Sequence, residues 1–180
     1  VPTIALGYDQ VSQARNECSE KNYHINIWHA DLSAVEKSSI KQRIRNGEQR
    51  LIYAAPESVN GALALSLSDA ARTGLLRAFI VDEAHIVSQW GDGFRPAFQS
   101  MAGLWRQLRI VCPEQAMFRT VLMTATLTEE SHDALNSFFR TSEGSDLIAS
   151  VHLRPEPSYH ICNCENQQIQ QSRVLEALRN

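Results

Sequence analysis

The sequence predicts an α/β domain with a largely parallel sheet and helices on both of its faces. Short apolar segments alternate with segments of helical periodicity along the 180 residues, which is the order typical of βαβ units. Ala78–Val81 and Val121–Met123 are apolar throughout, as expected for strands that are buried on both faces. Ligands of such sheets bind beyond the carboxyl ends of the strands, so the residues that follow each strand are the first candidates for function.

The predicted sheet is built from short segments that are either apolar or alternating in character. In chain order we expect strands at His24–His29, Arg50–Ala54, Arg77–Val81, Arg119–Met123, Asp146–Leu153 and Tyr159–Cys162. Trp28 lies at the end of the first of these and is predicted to pack in the core or at its rim. Trp105 lies on the apolar face of a predicted helix and is expected in the core.

The segments between the strands carry helix signals. Ser33 and Glu36 form a capping box, in which the serine accepts from a free backbone amide and the glutamate reaches back. That helix is expected to stop at Asn46-Gly47, because glycine readily adopts the left-handed conformation at a helix end. Pro96 suits the first turn of a helix. Further helices are expected at Ala97–Val111, Thr128–Phe139 and Ile169–Leu178.

Composition and charge exclude several classes of protein. The net charge of −3 and the pI near 6.1 exclude a domain coated with positive charge, so any nucleic-acid contact must be local. No segment approaches the ~18 consecutive apolar residues of a membrane span, and Val1-Pro2-Thr3 does not begin a signal peptide. The four cysteines are too scattered for a disulfide framework or a zinc site, which favours a reducing, cytoplasmic setting.

Two adjacent carboxylates, Asp82 and Glu83, follow the strand Ala78–Val81. A buried pair of carboxylates without a cationic partner would be costly. Mg²⁺ is a natural partner, because it is bound through few carboxylates, water and phosphate oxygens. Asp82 would then hold the metal through water, and Glu83 would orient and deprotonate an attacking water. The alternative is an acidic pair that caps the N-terminus of a following helix, and these residues alone favour neither interpretation.

A second strand-end site consists of two hydroxyls. Thr124 and Thr126 follow the apolar segment Val121–Met123. Hydroxyls beside a carboxylate can report a change at a phosphate by exchanging hydrogen bonds. Taken alone, however, the two threonines are typical of an ordinary strand end or a helix N-cap.

Taken together, these segments resemble a known family. Asp82-Glu83-Ala84-His85 and Thr124-Ala125-Thr126 resemble motifs II and III of superfamily 2 helicases. The segment Ser88–Pro96, with the sequence SQWGDGFRP, resembles the aromatic-rich loop of RecQ helicases, whose usual form is S-Q-W-G-H-D-F-R-P-E-Y. The resemblance implies a RecA-like (P-loop NTPase) parallel sheet that is incomplete at its N-terminus.

Further motifs occur in the family's order. Pro2, Leu6, Asp9 and Gln10 have the spacing of RecQ motif Ia, Tyr53–Glu57 resembles motif Ib, and Leu153-Arg154-Pro155 resembles the segment that leads to the second motor domain. Motif Ia also implies a loop that opens a helix, against the strand that Thr3–Leu6 would suggest by composition. The resemblance implies contacts with DNA for Pro2, Asp9, Gln10, Pro56 and Glu57.

The resemblance also assigns roles around the nucleotide. It makes Glu83 and Asp82 the catalytic pair, with Asp82 on Mg²⁺, and it implies coupling of nucleotide and DNA sites through four residues: His85, Gln89, Thr124 and Thr126. The bland alternative for His85 is a partly buried histidine bonded to the backbone.

The RecQ-like loop offers aromatic rings to DNA. Trp90 and Phe94 suit stacking on unpaired bases, and Arg95 suits a phosphate. The alternative is that both rings fold back over the helix Ala97–Val111. The sequence departs from the family's usual residues at Ser58, Asp92, Gly93, Ala97 and Phe98, which indicates a divergent branch.

One family element does not occur. The sequence contains no G-x-x-x-x-G-K-[ST] and no Gly-Lys dipeptide, although that loop cradles the nucleotide phosphates. We therefore expect residues 1–153 to be a partial ATP-binding (RecA-like) domain, and residues 154–180 to be a linker and the start of a second motor domain. By itself this chain should hydrolyse no ATP.

The resemblance implies that the parent protein is a DEAH-type DNA helicase. Its cofactors would be ATP and Mg²⁺, its partners single-stranded DNA, duplex junctions and the second motor domain of the same chain, and its direction 3′ to 5′. It would be cytoplasmic, or nucleoid-associated in a bacterium. Two alternatives remain: a nucleotide-dead DNA-binding or scaffolding module, and a metal-dependent phosphohydrolase.

Overall fold

A computed structural model describes residues 4–18, 23–88, 96–140, 144–150 and 163–177. The chain divides into two compact units, Val1–Ser145 and Asp146–Asn180. None of the helices in these described ranges is long and apolar enough to cross a membrane.

The larger unit alternates strands and helices, as the sequence predicts. Its helices are α1 (Ile4–Glu17), α2 (Ala34–Asn46), α3 (Pro56–Asn60), α4 (Ala64–Arg72), α5 (Pro96–Val111) and α6 (Glu129–Phe139), with short 3-10 helices at Ala84–Ser88 and Glu114–Ala116. Its strands are β1 (His24–Ile27), β2 (Gln49–Tyr53), β3 (Ala78–Val81) and β4 (Arg119–Leu122). The smaller unit contains α7 (Gln167–Ala177).

All strand pairs in the described part of the chain are parallel, which confirms the predicted class of sheet. β1 pairs with β2, and β3 pairs with β4, so two separate two-stranded ladders replace the single ladder that the sequence suggests. Side chains join them instead, because Ile52 of β2 packs against the same hydrophobic core that contains Phe79 of β3.

The first ladder has helices on both faces. Val11 of α1 packs with Ile25 and Ile27 in one cluster. On the opposite face, Ile40 and Ile44 of α2 belong to the main core. The prediction of helices on both faces is therefore confirmed for β1 and β2.

The second ladder buries one face only, which corrects the prediction that β3 and β4 are covered on both sides. Phe79 and Val81 lie in the main core with Trp105 of α5. Ile80 pairs with Val121 in register, and their side chains are 51% and 42% exposed. Paired residues of parallel strands point to the same face of the sheet, so Ile80 and Val121 lie on one exposed face. The apolar character of these strands therefore does not mean that both faces are buried.

The predicted helix signals are confirmed where they were strongest. Ser33 and Glu36 form the capping box at the start of α2, and Gly47 ends that helix at φ 73°. α5, α6 and α7 occupy the predicted segments, with Thr128 capping α6. The segment from Ile4 onward is helical, so the strand suggested by composition is wrong there. Helices α3 and α4 were not predicted.

Core predictions for the tryptophans are also confirmed. Trp105 is 1% exposed and Trp28 is 6% exposed. The predicted strand Asp146–Leu153 is wrong over residues 146–150, which form no regular structure and are exposed. Ile148, for example, is 95% exposed, because no described strand pairs with this segment. The predicted strand Tyr159–Cys162 lies outside the described residues.

Candidate active site

The carboxyl ends of β3 and β4 bring the two strand-end motifs together. The N–H of Met123 donates to the carbonyl of Val81 at 2.8 Å, and the N–H of Ala84 donates to the carbonyl of Met123 at 2.9 Å. These two bonds join the segments that follow β3 and β4, beyond the last paired residues of the two strands. Ala84 is fully buried, which leaves room for only a small side chain at this turn.

Backbone conformation at Glu83 sets the direction of the carboxylate pair. Glu83 has φ 53°, in the left-handed region that residues with a Cβ seldom adopt. The Asp82 side chain supports this turn, since its Oδ1 accepts from the Glu83 N–H at 3.0 Å. A strained residue held by its neighbours is typical of functional sites. The Glu83 side chain stays 40% exposed, so water can reach its carboxylate.

The side chain of His85 connects the two strand-end motifs. Its Nδ1 is 3.3 Å from Oε2 of Glu83 and 2.9 Å from Oγ1 of Thr124. The Thr124 hydroxyl donates to the carbonyl of Thr126 at 3.0 Å and accepts from the Thr126 N–H at 3.2 Å. Since the single proton of Thr124 points to Thr126, we infer that His85 Nδ1 carries a proton. Glu83, His85 and Thr124 therefore form one polar network.

Asp82 interacts with two other elements, through a hydrogen bond from Gln10 and through its charge on Tyr53. Nε2 of Gln10, on α1, donates to Asp82 Oδ2 at 3.2 Å. Tyr53, the last residue of β2, lies close enough for the Asp82 charge to act on its phenol. Burial raises the pKa of Tyr53, and the negative charges of Asp82 and Glu17 add to the shift.

The remaining predicted site residues lie apart from this network or outside the described residues. Asp9 is exposed on α1, Pro56 is the buried first residue of α3, and Glu57 beside it is exposed. The residues predicted for DNA or coupling that fall outside the described side chains are Pro2, Gln89, Trp90, Phe94 and Arg95.

Sequence similarity agrees with this geometry. A model of the DEAD/DEAH box helicase family matches residues 1–134, which is most of the chain and includes both strand-end motifs. The chain belongs to the DEAD/DEAH box helicase family. Membership confirms the RecA-like α/β fold that the motifs imply.

Individual relatives of this DEAD/DEAH chain are RecQ-like. It is 32% identical over 136 residues to the RecQ-like DNA helicase blm-1 of Caenorhabditis elegans, covering 73% of this chain and 13% of the relative. It is 30% identical over 157 residues to the ATP-dependent DNA helicase RecQ of Bacillus subtilis, covering 86% and 22%. For the RecQ of Synechocystis, identity is 31% over 107 residues, covering 59% and 21%. The chain thus spans between 13% and 22% of the length of these helicases.

The donor atoms at the end of β3 fit a hydrated Mg²⁺ bound with a nucleotide. Among the residues whose placement is described, no three His, Cys, Asp or Glu side chains gather as a metal cage. Mg²⁺ needs no such cage, because it keeps several waters and takes one or two carboxylates plus phosphate oxygens. Asp82 would hold the ion, and Gln10 Oε1 is a buried acceptor with no described partner beside it.

Two residues of this site were missed as neighbours of Asp82. Tyr53 was read only as part of motif Ib, and Gln10 only as a DNA contact. A partial signal for Tyr53 was present, because it ends a strand, and ligands of such sheets bind beyond the carboxyl ends of the strands. For Gln10 no local signal exists, since 72 residues separate it from Asp82.

Proposed function

We propose that this chain forms the catalytic half-site of an ATP-dependent, RecQ-like DNA helicase. The observation that carries the proposal is the Glu83–His85–Thr124 network, in which one imidazole nitrogen touches a carboxylate at 3.3 Å and a hydroxyl at 2.9 Å. The network links Glu83, a candidate general base after β3, to Thr124 after β4. A contact of this kind could couple ATP hydrolysis to movement along DNA.

Each residue has a distinct part. Glu83 accepts the proton of the attacking water, because its carboxylate is exposed at the sheet edge and is held by the turn at φ 53°. Asp82 would hold the metal side of the nucleotide; Gln10 donates a hydrogen bond to it, and its charge acts on Tyr53. A Mg²⁺ ion held there would neutralise part of the phosphate charge. His85 passes a change at Glu83 to Thr124 by moving its shared hydrogen bond.

Substitution of Glu83 in the full-length protein that carries this chain tests the proposal. Glu83→Gln should keep nucleotide binding and lower DNA-stimulated phosphate release by roughly 10²–10⁴-fold, the usual contribution of a positioned base. Asp82→Asn should instead weaken Mg²⁺-dependent nucleotide binding. Glu114→Gln is the matched control, because Glu114 is exposed before β4. A wild-type protein without DNA-stimulated hydrolysis would favour a DNA-binding module that has kept only the fold.

The finer features of the proposed activity come from the family resemblance. We propose single-stranded DNA as the track, 3′ to 5′ movement, a second motor domain in the same protein and a cytoplasmic or nucleoid location. RecQ-named relatives support DNA as the partner. Displacement of a labelled strand from duplexes with either a 3′ or a 5′ overhang tests the direction. Unwinding that requires the 5′ overhang would contradict it.

A further inference from the structure

Gln10 connects helix α1 directly to the catalytic carboxylate. Its Nε2 donates to Asp82 Oδ2 at 3.2 Å, across 72 residues of sequence. The other oxygen of Asp82, Oδ1, accepts from the backbone N–H of Glu83 at 3.0 Å. The carboxylate is therefore held from both sides, by the backbone that follows it and by a side chain from α1, and rotation of its plane would break one of the two bonds.

The other end of the Gln10 amide is unusual. Oε1 is buried and accepts no hydrogen bond from the residues that the structure describes. Buried polar atoms in folded proteins are nearly always bonded, and an acceptor without a donor is costly. The bond to Asp82 uses only the amide N–H₂ group of Gln10, so it does not account for a buried oxygen that lacks a described donor. The oxygen thus points to a donor that arrives with a ligand.

The location identifies the chemistry of that donor. The amide belongs to the same side chain that holds Asp82, and hydrated Mg²⁺ brings water molecules whose O–H groups are strong donors. Carboxamide oxygens are suitable acceptors for such waters. A protein cation is a poorer candidate, because no described Lys or Arg pairs with Asp82.

We propose that Gln10 is a positioning residue of the metal–nucleotide site, with its amide N–H₂ orienting Asp82 and its amide oxygen accepting from a metal-bound water. The inference rests on the proposed function, since it concerns the same Asp82. It also gives α1 a direct connection to the nucleotide site. Asp9, the exposed neighbour of Gln10, is predicted to contact DNA. DNA bound to α1 would therefore change the position of Gln10 and, through it, the orientation of Asp82.

A magnesium titration tests the inference in the full-length protein. Binding of a fluorescent, non-hydrolysable ATP analogue is measured against Mg²⁺ concentration for the wild type, Gln10→Met and the control Gln13→Met. Gln13 is exposed on the same helix, so both changes replace a glutamine of α1 by an isosteric apolar side chain. The Mg²⁺ concentration for half-maximal binding should rise by roughly 3- to 10-fold in Gln10→Met, as expected for one lost hydrogen bond. It should not change in Gln13→Met.

A double-mutant cycle separates positioning from a general structural effect. If Gln10 acts through Asp82, Gln10→Met should add little to the magnesium requirement of Asp82→Asn. Additive effects would overturn the inference. Should Gln10→Met fail to fold, as judged by circular dichroism, Gln10→Leu takes its place in both experiments.

The two proposals fail differently. A wild-type protein that binds the analogue without any dependence on Mg²⁺ would overturn the proposed function and the inference together. A magnesium-dependent wild type with an unchanged Gln10→Met would overturn the inference alone.

Discussion

The imidazole Nδ1 of His85 lies 2.9 Å from the hydroxyl of Thr124, although 39 residues separate them. The contact joins the chain after β3 to the chain after β4. The same nitrogen is 3.3 Å from the Glu83 carboxylate, so one imidazole nitrogen contacts groups that follow two different strands. Under the proposed function, this shared contact is the path by which a change at Glu83 reaches Thr124.

Removal of the Thr124 hydroxyl should disconnect this relay. In the full-length protein, Thr124→Val keeps the shape of the side chain but removes the hydroxyl that contacts His85 Nδ1. We expect DNA unwinding to fall by roughly tenfold or more, equivalent to about 1.4 kcal/mol and close to the contribution of one hydrogen bond. Hydrolysis of ATP should fall less. Parallel assays of strand displacement and phosphate release measure the two effects.

Thr126→Val is the matched control for that experiment. The hydrogen bonds described for Thr126 use its backbone N–H and carbonyl, and valine keeps both. Unwinding should therefore stay near the wild-type rate. Equal losses of hydrolysis and unwinding in Thr124→Val would show that the hydroxyl supports the chemistry and not the relay.

The strand that precedes Thr124, β4, is tied to helix α5 by a buried hydrogen bond. Trp105 of α5 is 1% exposed, and its Nε1 donates to Thr120 Oγ1 of β4 at 2.8 Å. Thr120→Val leaves that buried N–H without an acceptor, so the free energy of unfolding should fall by about 1–3 kcal/mol. Thr120→Ser keeps the oxygen and should cost less. Urea denaturation of the chain distinguishes them, and equal stability of the valine variant and the wild type would contradict the prediction.

Tyr53 gives the site a measurable pH dependence of stability. Burial, and then the charges of Asp82 and Glu17, raise its pKa above the ordinary value of 10.0. The unfolded chain therefore loses the phenolic proton at lower pH than the folded chain. The contribution of Tyr53 to the free energy of unfolding is complete below pH 10.0 and declines as the pH rises through the pKa of the folded state. Tyr53→Phe should lose less stability over that alkaline range than the wild type does.

Urea midpoints measured from neutral pH into that range give the comparison. Asp82→Asn should show an intermediate slope, because it removes one of the two charges that act on the phenol. If the urea midpoints of the wild type and Tyr53→Phe depended on pH identically, folding would not raise the pKa of Tyr53.

Local signals explain which parts of the fold were predictable. α2 has a complete capping box and a left-handed glycine stop, and both can be read from neighbouring residues. The N-cap residues of α4 and α3 are Leu63 and Ala55, and neither makes a side-chain capping hydrogen bond. A helix that forms by packing its apolar face, and not by its ends, leaves no boundary signal in the sequence.

Contacts at long range mark the limit of prediction at the site. The link between His85 and Thr124 was expected from the family resemblance of the two motifs and their order along the chain. The approach of Gln10 to Asp82 depends on how α1 lies against β1, and no pattern along the chain encodes that placement. The exposure of Ile80 has the same origin, since composition cannot tell which face of a strand a helix will cover.

The RecQ-like loop provides the last prediction, which comes from the sequence because these residues lie outside the described ones. Trp90 and Phe94 flank Gly91 and Gly93, with Arg95 beside them, a composition that suits stacking on unpaired bases. Each stack contributes ~1–3 kcal/mol, a small part of the affinity of a whole helicase for DNA. Trp90→Ala or Phe94→Ala should therefore weaken DNA binding only modestly.

Coupling should suffer more than binding, because the loop follows His85 and its network within a few residues. In the full-length protein we expect both variants to keep basal ATPase activity and to lose most of its stimulation by single-stranded DNA. ATPase rates with and without saturating DNA measure this, and anisotropy of a labelled oligonucleotide confirms that the DNA sites are filled. Arg106→Ala on α5 is a suitable control, since within the described part of the chain that side chain bonds to carbonyls of α6. Normal stimulation in both aromatic variants would mean that the rings pack over α5 and that another element carries the signal from DNA.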